Sequence, residues 1–144
     1  MRVCKVLLIS LISAAPLAQA VEPAIAPAYV GSVVLENLGP LLSNPTQLAW
    51  GPAGLLYVRS LTGVQSYTYE PKSGKIGSPR QAVQGFPGIG LAFHSAHMYL
   101  TTFDGAIRRL DDQNGNGIWG EAGELNVAIV TGIPVGQWAG CLLY

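Results

Sequence analysis

The chain has 144 residues, eight Lys+Arg against eight Asp+Glu, and only 11% charged side chains. With 18 glycines and 10 prolines, about a fifth of it is turn-forming, against an average near 12%. That composition excludes a coiled coil, a basic nucleic-acid arm and a charge-driven disordered tail, so neither nucleic acid nor a charged surface is an expected partner.

Residues 1–20, MRVCKVLLISLISAAPLAQA, have the layout of a secretory leader. Arg2 and Lys5 make a positive start, an apolar run begins at Val6, and Ala18-Gln19-Ala20 is the small-x-small pattern that signal peptidase accepts. Ser10, Ser13 and Pro16 interrupt the apolar run well short of the roughly 20 residues a membrane span needs. Export to the periplasm or medium is the expectation, with no stable span after cleavage. Cleavage would remove Cys4 and leave Cys141 alone, without an internal disulfide, so a partner for that thiol is expected outside the chain's first 144 residues. It also removes two basic residues, giving a mature net charge of about −2. Residues 21–28 are an extended lead-in, because Pro23 and Pro27 block a helix.

From residue 29 onward no window shows helical periodicity. Short apolar or alternating runs recur instead, each followed by Gly, Pro or Asn. In chain order the predicted strands are 29–35, 47–50, 55–60, 64–69, 80–84, 89–93, 97–102, 106–110 and 125–130. Two stretches echo each other: Leu48-Ala49-Trp50 through Tyr57 to Gly63, and Leu91-Ala92-Phe93 through Tyr99 to Gly105. Tyr57 and Tyr99 lie 42 apart, as do Gly63 and Gly105, and Gly85 and Gly132 are spaced by 47. A period in the forties with about four strands per unit predicts an all-β propeller. Trp50, Phe93, Tyr57 and Tyr99 then become core between blades. Residues 29–144 accommodate about two blades and the start of a third, whereas propellers close with roughly 4–8. An incomplete propeller domain follows as the expectation, by truncation or by assembly of several copies. Self-association through exposed blade edges is the corresponding partner expectation.

The strings LAWGPAGLLYV, GIGLAFHSAHMYLTTFDGAIRRLDDQNGNG and GIPVGQWAG resemble the soluble quinoprotein sugar dehydrogenases, the glucose/sorbosone dehydrogenase family, over residues 30–140. The resemblance implies a six-bladed ring, pyrroloquinoline quinone (PQQ), calcium, and oxidation of a hydroxyl on a sugar-type small molecule. It also implies a general-base histidine directly after a Gly-Gln pair, where this chain has Gly136-Gln137-Trp138. An indole has no basic nitrogen and only donates. With that base replaced and later blades missing, the chain by itself is expected to be inactive. The other function carried forward is a non-enzymatic secreted propeller that binds protein or glycan through its loops.

Candidate cofactor-binding residues are Arg59, whose guanidinium fork would match a quinone carboxylate, His94 in the Gly-Leu-Ala-Phe-His string, and Gln137. His94 and His97 alone are too few for zinc and read as polar residues at a blade corner. Asp112-Gln113-Asn114-Gly115-Asn116-Gly117 has oxygen side chains at alternate positions and a glycine at the sixth, so Asp112, Asn114 and Asn116 are candidate calcium ligands. The twelfth position is Gly123, with Glu124 one residue late and Glu121 early; the same string also reads as an Asx/Gly-rich hairpin turn.

Overall fold

A computed structural model describes residues 44–134, together with the strands Cys4–Leu7 and Val33–Glu36. The chain divides into one unit over 1–43 and another over 44–144. In the first unit, β1 (Cys4–Leu7) pairs in parallel with β2 (Val33–Glu36), in a register that sets Cys4 beside Val33. β1 lies inside the expected leader, and β2 overlaps the end of the strand expected over 29–35, whose earlier residues lie outside the described ones. Among the described residues no helix is long and apolar enough to cross a membrane.

The second unit is all-β and contains two open, four-stranded antiparallel sheets. The first comprises β3 (Pro45–Trp50), β4 (Leu56–Ser60), β5 (Gly63–Tyr67) and β8 (Arg80–Gln84), neighbours in that order. Pro52–Gly54 forms a single 3-10 turn between β3 and β4, closed by Leu55 N–H donating to the Pro52 carbonyl at 3.2 Å, while Gly51 N–H donates to the Leu55 carbonyl at 3.0 Å across its base. Between β5 and β8 a two-strand hairpin stands apart, β6 (Tyr69–Glu70) and β7 (Lys75–Ile76). The run expected over 64–69 is therefore broken at Thr68. β5 accepts β8 through a bulge at Val64/Gln65, and Gly63 fits there because a Cβ would run into the Val83 carbonyl.

The second sheet comprises β9 (Leu91–His94), β10 (His97–Thr102), β11 (Ala106–Leu110) and β12 (Asn126–Val130), again in chain order. Ser95 (φ 47°) and Ala96 (φ 63°) form the two-residue turn between β9 and β10. Both are left-handed, as a type I′ hairpin turn requires, although neither is the usual Asn or Gly. The ladder between β11 and β12 shifts at Ile107/Arg108.

The sheets pack on one another because each strand alternates its apolar side chains toward the same face. Tyr57, Val64 and Val83 from the first sheet meet Leu91, Leu100 and Leu110 from the second, with Met98 and Trp119 completing the core. The first strands also touch: Thr46 Oγ1 donates to the Ile89 carbonyl at 3.0 Å, and Leu91 N–H donates to Gln47 Oε1 at 2.7 Å. Tyr57 and Phe93 are shared core as expected, their rings 4.6 Å apart. Trp50 departs from that expectation. It is 56% exposed and rests against Tyr69 at 5.5 Å, because its strand parity turns it away from the second sheet. Tyr99, on the opposite face from Met98 and Leu100, is half-buried.

Candidate functional site

Arg59 stands on β4 and is wholly buried. Its Nη2 donates to the Phe86 carbonyl at 2.6 Å and to the Thr101 carbonyl at 3.1 Å, so it ties the first sheet to the connection and to β10 of the second. Phe86 presents that carbonyl with φ at 55°, straight after Gly85 at φ 84°, and Arg108 lies over its ring at 5.2 Å. Gly88 makes room: a Cβ there would strike the Thr101 carbonyl and lie 2.8 Å from Arg59 Nη2. Nε and Nη1 of Arg59 are buried without a hydrogen-bond partner. Burial pushes the guanidinium pKa down to about 10, which leaves it charged at neutral pH. Only Nη2 is engaged, with two backbone carbonyls, while the remaining donors of the fork stay enclosed between the sheets. His94 lies at the exposed end of β9, directly across from His97, and Gln137 and Trp138 lie outside the described residues. Among the described residues, Arg59 and His94 stand on different sheets.

A second cluster sits at the ends of β10 and β11. Asp111 accepts from Arg109 Nε at 3.1 Å and Nη2 at 2.9 Å, and pairs with His97 Nδ1 at 2.8 Å. Arg109 Nη2 also lies 3.1 and 3.2 Å from the two ring nitrogens of His97. The Arg109 hydrogen bonds, against the opposing effect of burial and with help from His97, hold the Asp111 carboxyl below the usual carboxylate range. A carboxyl depressed in the folded state contributes stability that is full above its unfolded pKa near 3.9 and is lost as pH falls through the lower folded value. Asp111→Asn is therefore expected to lower the melting temperature by a few degrees at pH 7. Its deficit against wild type should shrink in scanning calorimetry as pH falls below the unfolded value and through the lower folded one; a deficit independent of pH would mean the carboxylate charge contributes nothing.

The loop between β11 and β12 holds the oxygen-rich string. Asp112 accepts Asn116 N–H at 3.1 Å and Gly117 N–H at 2.9 Å on its two oxygens. Asn114 Oδ1 accepts Asn116 N–H at 2.8 Å, and Asn116 Oδ1 accepts Ile118 N–H at 2.7 Å. These are the nested Asx turns of the hairpin reading. The same residues also converge. Glu121 Oε1 receives the side-chain amides of Asn114 at 2.7 Å and Asn116 at 2.6 Å, while Glu124 Oε1 receives Gln113 and Asn114 N–H groups at 2.8 and 3.1 Å. Among the described residues no three His, Cys, Asp or Glu side chains form a metal-holding group; the loop offers two amides beside its carboxylates. Calcium takes six to eight oxygens; here the Asn oxygens accept backbone N–H groups and their amide nitrogens face Glu121, so both amides would have to turn for the loop to offer an oxygen set. Glu121 and Glu124 were not assigned roles from sequence, because the twelve-residue template places its last ligand at Gly123, between them.

Compared with known proteins, the chain matches no family model, no curated protein and no solved structure. Sequence and geometry define its class as far as an all-β protein of consecutive antiparallel sheets.

Proposed function

We propose that the chain is a portion of an exported β-propeller related to the quinoprotein sugar dehydrogenases, with two blades and the start of a third. In this reading it serves as scaffold and calcium-holding loop rather than as the oxidising site. The observation that carries the reading is the recurrence of one packing unit in successive sheets. In each sheet an aromatic on the first strand meets one from the connection between the third and fourth strands. Trp50 meets Tyr69 and Phe93 meets Trp119, both with centroids 5.5 Å apart. The return path recurs as well: Gly85 N–H donates to the Thr62 carbonyl at 3.1 Å, and Ile133 N–H to the Gly105 carbonyl at 3.0 Å. Repeating sheets of four strands at a period in the forties are how propeller blades are built.

The part the chain plays follows from its side chains. Arg59 is committed to holding sheets together, and Trp138 offers no proton acceptor at the base position. Asp112, Asn114, Asn116 and Glu121 would hold calcium, which would tie the long β11–β12 loop at several points. A millimolar affinity is in keeping with amides at two ligand positions. One experiment tests both halves. At calcium about tenfold above such a dissociation constant, linkage supplies roughly 1.4 kcal/mol and raises the melting temperature by several degrees, and Asp112→Ala removes the rise. Under the same conditions, with PQQ and aldoses added, no dye is reduced. Aldose-dependent reduction would overturn the scaffold assignment, and an unchanged melting temperature would overturn the calcium assignment.

A further inference from the structure

The outer face of the second sheet carries one half of a contact whose other half the same chain displays on its first sheet. Within the chain, Tyr57 on β4 enters the angle between Phe93 and Trp119, 4.6 Å from the first ring and 6.3 Å from the second. Its repeat equivalent, Tyr99 on β10, faces away from the first sheet. The equivalent of the Phe93–Trp119 pair is Trp50–Tyr69, and Trp50 is 56% exposed. A ring without its slot and a slot without its ring occur on one molecule.

The outer strands repeat this pattern. β8 and β12 each bulge by one residue, at Ala82 and at Ile129, which are 47 apart like Gly85 and Gly132. Ala82 is fully buried, and its carbonyl accepts Trp119 N–H from the next sheet's loop at 2.8 Å. Ile129 is 50% exposed. Beside it Val127 and Val130, aligned with Arg109 and Ile107 on the Tyr99 face, are 41% and 42% exposed. No charge lies between Leu125 and Pro134, whereas β8 bears Arg80, Gln81 and Gln84 at its exposed positions. Such an unguarded edge invites a covering element. One departure is that His94 follows Phe93 where Gly51 follows Trp50; it sits at the exposed rim.

We propose that the chain associates head to tail with a second copy of itself. Trp50 and Tyr69 of one copy receive Tyr99 of the next, and the first sheet's β6–β7 connection covers the Ile129 bulge, reproducing between molecules the contact already made within one. A second copy is the occupant the geometry names, because this chain displays both halves of the contact it makes between its own sheets. The contact is heterologous, so it repeats until a ring shuts or continues as an open chain. It depends on neither calcium nor sugar chemistry.

The test uses the full chain and two variants at exposed positions, Trp50→Ala and Ile129→Arg, each checked for native circular dichroism. Light scattering over roughly 1–100 µM should show wild type rising above the monomer mass and each variant staying monomeric. Mixing the variants should restore a dimer and nothing larger, because one intact slot then meets one intact face. A wild type that stays monomeric throughout would overturn the proposal. So would assembly that ignores either substitution, or variants that fail to complement, as a two-fold β12-to-β12 contact would behave.

Discussion

Truncating Tyr57 to alanine should cost about 3–5 kcal/mol, the range for deleting a buried aromatic, and lower the melting temperature by roughly 15 °C or more. Tyr57 is 2% exposed and joins both sheets through its tilted contact with Phe93 and its edge contact with Trp119. Such ring pairs add roughly 0.5–1.5 kcal/mol beyond the area they bury. Against a total stability on the order of 5–15 kcal/mol, that is a large share of what holds the domain folded. Burial is also the main reason the phenol pKa is raised. Tyr99→Ala is the control, because that residue occupies the same strand position without the enclosing rings. Urea titration followed by tryptophan fluorescence reads both variants, and equal losses would mean that Tyr57 has no special place between the sheets.

Arg59 should behave differently depending on what replaces it. Alanine removes both tethers to Phe86 and Thr101 and leaves a cavity, at a cost of about 3 kcal/mol. Methionine fills the volume of the stem and removes a buried charge that has no carboxylate beside it, so its stability should stay within about 1 kcal/mol of wild type. Gly88→Ala should be more damaging than methionine at 59, since its Cβ meets the Thr101 backbone, which cannot turn aside as a side chain can. Chemical denaturation separates the three. If methionine proved as harmful as alanine, the guanidinium charge itself would be stabilising, and an anionic partner for Nε and Nη1 would have to exist.

The strands were legible in the sequence where glycine-rich turns bracket an alternating run. Arg80–Gln84, His97–Thr102 and Ala106–Leu110 have the predicted bounds. The run expected over 89–93 starts later, at Leu91: the Ile89 carbonyl accepts from Thr46, and Gly90, whose carbonyl accepts Thr101 N–H at 3.1 Å, gives its own N–H to the Thr101 hydroxyl at 2.7 Å instead of to the β10 backbone. Strand parity also indicates that Trp50 and Phe93 are equivalent, but not that only one has a sheet in front of it. The destination of Arg59 was less legible still. Its acceptors are backbone carbonyls 27 and 42 residues away, and backbone groups have no sequence signature. In the loop, the Asx turns could be anticipated from Asp112, Asn114 and Asn116, whereas the convergence on Glu121 depends on how four glycines with positive φ between Gly115 and Gly123 fold the chain back.

Each four-stranded sheet in the second unit is a meander in chain order, interrupted only by the β6–β7 hairpin inserted between β5 and β8. All pairings inside a sheet are therefore local, and short-range pairings form quickly because little loop entropy is lost in closing them. A ribosome releasing this polypeptide would deliver a complete first sheet before the residues of β9 emerge. Phe93 and Trp119 would then arrive at a Tyr57 surface already laid down for them.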